Sequence, residues 1–290
     1  MAYRTVTIQV PGSTSNIGPG YDCLGIALGI YNRMTLTRAE GGREIHPPHG
    51  MVRECARLFF KRTNVPEFAF CWEISGEVPV SRGLGSSVTV RLGVLAALNE
   101  LCGQPLTRDG LFALCSEMEG HPDNAGPAAF GGFVLTSARG ESFRFEVGPE
   151  LKFVLLIPDQ EVVTEHARRV LPPQISHREA VLNMGNACTI TAAFATQQYA
   201  KLRDGFEDYL HQRYRAHLVP GLFDVIEAGA SSGALGGFLS GSGSTIACLT
   251  LGGNEDAVAA AMLKGWKGTA AAETRILTAD NLGATVLHVE

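Results

Sequence analysis

The sequence predicts an α+β protein in two parts, with a boundary near Gly148. Two observations carry that expectation. Strand-like and helix-like segments occur in mixed order rather than in a regular alternation. The 290 residues, 45% of them hydrophobic and 18% charged, are globular in composition and enough for a large core without disulfide or metal staples. Residues 1–148 are taken as the first domain and 149–290 as the second.

Taken in order, the alternating, β-branched run Tyr3–Val10 reads as a strand ended by Pro11, with a Gly/Ser/Asn-rich loop to Gly20. Leu24–Leu36 ends in a second strand. Two glycines and Pro47-Pro48 make Glu40–Gly50 a loop. Helical spacing of Val52, Cys55, Leu58 and Phe59 predicts a helix over Met51–Thr63, and Phe68–Ile74 follows as a strand. Val88–Leu101 and Thr107–Glu119 read as helices, the second capped by Thr107. Gly120–Pro127 is a polar turn before a strand over Phe130–Thr136.

In the second half, the apolar run Leu151–Ile157 reads as a buried strand. Helices are expected at Thr164–Leu171, Ser176–Lys201, Phe206–Tyr214, Leu222–Ala230 and Asp256–Gly265. Thr245–Leu251 and Ala284–Val289 read as strands. No repeat of 20–50 residues is present.

A net charge of −5 and a pI near 5.9 give no basic footprint for nucleic acid. No apolar run reaches membrane-spanning length, and no signal-type segment opens the chain. Seven scattered cysteines without a CxxC pair fit reduced thiols in the cytoplasm.

Four local strings could carry chemistry. Gly83-Leu84-Gly85-Ser86-Ser87 precedes a helix, where backbone N–H groups and the helix dipole suit a polyphosphate. It matches neither GxxxxGK[ST] nor GxGxxG. Asn16 and Asp22 sit in a Gly/Pro-rich frame that can aim polar groups at a small ligand. Glu117, Glu119, His121, Asp123 and Asn124 cluster around the turn after the third predicted helix, and carboxylates beside a phosphate site suit Mg²⁺. Ser240-Gly241-Ser242-Gly243-Ser244 repeats the small-residue composition between apolar flanks. Taken singly, each string could equally be an ordinary turn, a cap or a solvated surface.

Together, and in this order, the strings resemble the signature regions of the GHMP small-molecule kinase superfamily: residues 11–28, 79–89 and 239–245. EGHPDN followed by GPAAFGG, at 119–132, resembles its homoserine-kinase branch. The resemblance spans nearly the whole chain. It implies a two-domain fold, with an N-terminal domain like domain 2 of ribosomal protein S5, containing a left-handed βαβ crossover, and a ferredoxin-like C-terminal domain.

The resemblance also implies ATP, Mg²⁺ and L-homoserine as ligands, and it allows a homodimer. Pro79, Arg82, Gly83, Leu84, Gly85, Ser86, Ser87, Val88, Thr89, Ser240, Gly241, Ser242 and Gly243 would then wrap the nucleotide. Ser87 and Glu119 would hold the metal. Asn16, Asp22, His121, Asp123, Asn124 and Thr164 would surround the amino alcohol, with Asp123 and Asn124 at the reacting hydroxyl. Arg168 and Arg215 would bind its carboxylate. Val88-Thr89-Val90 stands where the family has small residues, Arg213 where it has Pro, and Tyr209 where it has Arg. Two other readings stay open on sequence alone: a kinase for another small alcohol, and a non-catalytic binding protein of the same fold.

Overall fold

Strand β1 (Thr5–Ser15) runs through Pro11 instead of stopping there. The computed structural model describes residues 3–39 and 50–290, so the loop expected at 40–50 falls almost wholly outside it. β1 pairs antiparallel with β2 (Leu24–Arg38), and their register shifts between Pro11 and Gly12. That irregularity lets a strand accept a proline, which has no N–H for the ladder. Beyond it β1 carries Ser13, Thr14 and Ser15 into the cleft region as strand rather than loop.

The shift also divides β2 between two cores. Ile26, Leu28 and Ile30 pack between the sheets, whereas Met34 and Leu36 pack under the helices. Helix α1 (Gly50–Thr63) and strand β3 (Phe70–Gly76) lie close to their expected positions. Helix α2 (Ser86–Leu101) is buried along most of its length, and α3 (Arg108–Glu119) is capped by Thr107, whose Oγ1 accepts from the Gly110 N–H at 3.2 Å.

Two expectations are corrected around Pro127. Ala125–Phe130 is a short helix, α4, where a turn and a strand start were expected. Strand β4 begins only at Phe133 and ends at Thr136. Gly131 and Gly132, both at positive φ, separate helix from strand, and Pro127 sits in the first turn, where no intrahelical N–H is needed. Strand β5 (Ser142–Phe145) was not legible as an element.

The second sheet contains β6 (Lys152–Pro158), β7 (Gly236–Leu239), β8 (Ile246–Thr250) and β9 (Ala272–Leu277), in the order β7-β8-β6-β9 with every pair antiparallel. This is the ferredoxin-like arrangement. Helix α5 spans Thr164–Arg169. Helix α6 spans His177–Ala195 and opens with a Ser176–Glu179 capping box; Gln197, at positive φ, keeps it from reaching Lys201. Of Phe206–Tyr214, only the end is helical, as α7 (Gln212–Arg215). The Asp208 carboxylate accepts the N–H groups of Leu210, His211 and Gln212, at 2.8, 2.9 and 2.6 Å, and so turns the chain before that helix. Helices α8 (Leu222–Ser231) and α9 (Glu255–Gly265) cover the outer face.

The last strand, β10 (Thr285–Val289), returns to the first sheet and pairs with β1. That sheet runs β10-β1-β2-β4-β5, with β3 also on β2. The two sheets share one core, in which Phe133 of β4 stacks on Phe194 of α6 with ring centroids 4.4 Å apart. No described helix is long and apolar enough to cross a membrane.

Candidate active site

A cleft of about 550 Å³ opens between the two halves, walled by the end of β1, the start of α2, the turn after α3, α5 and the β7–β8 loop. The polyphosphate-type loop is shaped by two glycines at positive φ, Gly83 (75°) and Gly85 (68°). A Cβ on Gly83 would collide with the Ser240 carbonyl, and one on Gly85 with the Ser13 hydroxyl. Only glycine satisfies both the dihedral and the space. The backbone then enters α2 at Ser86, leaving the first N–H groups of the helix without intrahelical partners at the cleft wall.

The other small-residue loops lock this one in place. Ser240 Oγ donates to Gly83 O at 2.7 Å and shares a 2.7 Å bond with Thr14 Oγ1. The Gly241 N–H donates to Ser15 O at 3.1 Å, and Asn16 Nδ2 donates to Gly241 O at 2.9 Å. Asn16 Oδ1 accepts from the Asp22 N–H at 3.0 Å, so both ends of this cleft-lining amide are bonded within the protein. Ser242 reaches Thr164 Oγ1 at 3.3 Å.

Ser87 and Glu119 come together, with Ser87 Oγ donating to Glu119 Oε2 at 3.1 Å. The other carboxylate oxygen is ion-paired to Arg91, a residue that the sequence reading did not single out. Arg91 stands four residues after Ser87, hence on the same face of α2, so helical spacing was the available signal. Glu117 points elsewhere and pairs with Arg62 on the surface at 2.6 Å. An oxygen pair with one carboxylate suits Mg²⁺, which keeps waters and takes phosphate oxygens for the rest of its octahedron.

Beside it, His121 Nδ1 lies 2.7 Å from Asp123 Oδ1, and the Asn124 N–H donates to the same oxygen at 3.0 Å. Burial opposes the charge on Asp123 most strongly. The His121 hydrogen bond and charge, with Ser15 and Arg168, outweigh it and hold the carboxyl below its ordinary value. Burial likewise opposes the His121 cation, and Asp123 outweighs it, raising that pKa. Asn124 is tied to β1: its Oδ1 accepts from Ser13 Oγ and its Nδ2 donates to Ser15 Oγ, each at 2.9 Å. Asp22, His121 and Asp123 also place ligand atoms within 4.8 Å of one another, but Asp22 and Asp123 already hold Arg168 and His121.

Two arginines close the far end. Arg168 makes a bidentate pair with Asp22, at 2.7 and 2.9 Å, and donates to the Tyr21 hydroxyl at 2.8 Å. Arg215 is only 2% exposed and donates to Ala167 O at 2.9 Å and Gly241 O at 3.1 Å. Its guanidinium carbon lies 5.2 Å from the centre of the Tyr21 ring and that of Arg168 lies 5.5 Å from it, so the one tyrosine touches both guanidiniums. Among the described residues no carboxylate forms an ion pair with Arg215. His211 supports it: Nε2 donates to Gly18 O at 2.8 Å, leaving Nδ1 to face Arg215 Nη1 at 3.4 Å. Burial lowers the His211 pKa, in keeping with that neutral tautomer.

Of the residues expected around the nucleotide, Arg82, Gly83, Gly85, Ser86, Ser87, Gly241 and Ser242 line the cleft. Pro79, Leu84, Val88, Thr89, Ser240 and Gly243 are not among the residues that line it. Leu84 and Val88 are core residues, 1% exposed each, and the Thr89 hydroxyl is bonded to Asn32 Nδ2 and Ser86 O, both at 2.8 Å. The β-branched pair Val88-Thr89 thus anchors α2 without delaying its start at Ser86.

Fold and cleft together are those of a two-lobed phosphotransferase acting on a hydroxyl group of a small molecule. A family profile described as GHMP kinases N terminal domain matches residues 50–132, and one described as GHMP kinases C terminal matches 190–268. The homoserine kinase of Microchaete diplosiphon is 37% identical, with 98% of each chain covered. That of Trichormus variabilis is 38% identical over 97% of this chain and 98% of its own. The crystal structure of the Cytophaga hutchinsonii homoserine kinase superposes with a TM-score of 0.86 at 25% identity, covering 98% of this chain and 97% of that one. A mevalonate kinase shares the fold at a TM-score of 0.69 and 15% identity, covering 95% and 99%. The chain belongs to the homoserine kinase family of the GHMP kinases.

Proposed function

We infer that this chain transfers the γ-phosphoryl group of ATP to the side-chain hydroxyl of L-homoserine, a step of threonine biosynthesis. The observation that carries the choice of acceptor is Arg215. A buried guanidinium without an acid of its own is costly, and a substrate carboxylate relieves that cost. Arg168 stands beside it across Tyr21, and forked N–H donors on two sides suit one carboxylate. Mevalonate also carries a carboxylate, but the family relationship favours the amino acid.

In this reading the Gly83–Ser87 backbone and Gly241-Ser242 hold the polyphosphate, aimed by the α2 N-terminus. Ser87 and Glu119 are the residues that would hold Mg²⁺, whose charge would offset that of the β- and γ-phosphates when bound. Asp22 faces the ammonium group. The substrate oxygen bonds to the γ-phosphorus as the bridging β–γ bond breaks and ADP departs. Asp123, kept ionised, accepts the hydrogen bond of the attacking hydroxyl and then its proton, while His121 and Asn124 fix the carboxylate. Positioning and charge neutralisation dominate such transfers. We place the reaction in the cytoplasm, in keeping with seven free thiols.

The test is ADP release with Mg-ATP and L-homoserine, L-threonine, L-serine, mevalonate or galactose. Turnover with homoserine alone supports the reading. Preference for another alcohol would transfer the same machinery to a different acceptor, and saturable ATP binding without any turnover would make this a binding protein.

A further inference from the structure

Arg91, ion-paired to Glu119, is a charged residue of the cleft that the mechanism does not use. Glu119 is 7% exposed and Arg91 17%, so neither charge is solvated as a surface pair would be. Among the described residues no other cation is ion-paired to Glu119. The Arg91 Nε–H is buried and has no hydrogen-bond partner among the described residues. Its side chain lines the same cleft as Ser86, Ser87 and Gly83. The site therefore contains a resident cation on the carboxylate assigned to the metal, with a spare donor beside the phosphate loop.

We propose that Arg91 is a stand-in counter-cation: it neutralises Glu119 in the empty enzyme and passes to a phosphate oxygen when Mg²⁺ arrives with the nucleotide. This rests on the reading of Ser87 and Glu119 as the metal pair. The physical argument is competition. A guanidinium and a divalent cation repel each other at one carboxylate, and in a partly desolvated cleft that repulsion is strong. Free Mg²⁺ alone therefore binds poorly. When the metal enters with a polyphosphate, the phosphate oxygens supply the negative charge that Arg91 gives up, and a forked donor suits them. Metal and nucleotide are thereby taken up as one complex.

The experiment uses the full chain stripped with EDTA. Thermal unfolding is followed while Mg²⁺ is titrated alone, and affinity for a non-hydrolysable ATP analogue is measured with and without Mg²⁺. Arg91→Met is expected to bind free Mg²⁺ about tenfold or more tightly than the parent, seen as stabilisation at lower concentration. Glu119→Gln, which is nearly isosteric and leaves Arg91 without its acid, is expected to bind the metal-free analogue about tenfold more tightly. Arg91→Met/Glu119→Gln should lose that gain.

If Arg91→Met fails to fold, the Glu119→Gln comparison with the double variant decides alone. Absence of the gain overturns the proposal. So does an Mg²⁺ response in Arg91→Met equal to the parent's, provided Glu119→Gln abolishes the metal's effect on analogue binding; the metal pair then stands. If Glu119→Gln leaves that effect intact, the assignment of Glu119 to the metal falls, and the proposal with it.

Discussion

The two arginine walls of the cleft solve the same problem in opposite ways. On the α5 wall, Arg168 is one-third exposed and already satisfied, forked onto Asp22 and touching Tyr21. The Asp22 hydrogen bonds raise its pKa above the ordinary value. On the α7 wall, Arg215 is sealed from water and fixed by two carbonyls and His211, and burial lowers its pKa. The difference teaches a division of labour. Arg215 is preorganised and waits for an outside anion, so its binding energy is available in full. Arg168 must share or release Asp22 before it can contribute, so its net gain is smaller.

The sharpest way to break this comparison is to remove each cation. Arg215→Met is expected to lower kcat/KM for homoserine by about two to four orders of magnitude, the scale of breaking a buried charge pair. Nucleotide affinity should stay unchanged, and steady-state kinetics with separate analogue binding checks both. Arg168→Met should cost less, about ten- to a hundredfold, because a partly exposed pair is worth less than a buried one. Equal losses would show that the Asp22 tether carries no cost. A third variant probes the opposite end of the cleft: Gly83→Ala forces a Cβ against the Ser240 carbonyl at a φ of 75°. A loss of about 1–3 kcal/mol in stability is expected, measured by denaturant unfolding, together with weaker nucleotide binding.

Much of this site was legible because its chemistry is local in sequence. Glycines at positive φ, a helix start within GLGSS, and His121, Asp123 and Asn124 within one turn need no long-range knowledge. Arg91 escaped because α2 is otherwise so apolar that a charge within it reads as solvated, and its acid lies 28 residues away on another helix. Arg215 was reached through the family pattern, but its burial and its missing acid are tertiary facts. The fold was legible where burial is periodic, as in α1, or unbroken, as in β6. It was not where pairing is distant: β10 joins β1 from the far end of the chain, and β9, with mixed exposure along Ala272–Leu277, shows no clean alternation. Pro11 misled because composition cannot reveal a register shift.

The smallest effect belongs to the His121–Asp123 pair, and its sign can be worked out. Asp123 has a lowered pKa in the folded chain, so its stabilisation is fully present above the ordinary carboxylate value of about 4 and is lost as pH falls through the lowered one. His121 has a raised pKa, so its share is fully present below the ordinary imidazole value of about 6.5 and is lost as pH rises through the raised one. The two contributions overlap from about pH 4 to about pH 6.5. Asp123→Asn should therefore lower the unfolding temperature most inside that window, and its difference from the parent should shrink toward pH 9. The Arg168–Asp22 pair provides the contrast: Arg168 stays protonated across this range, so Arg168→Met should show no such narrowing on the alkaline side. If Asp123→Asn instead ran parallel to the parent from pH 5 to pH 9, the charge of the imidazolium would contribute nothing to holding Asp123, and the hydroxyl's partner would be oriented by hydrogen bonds such as that of the Asn124 N–H.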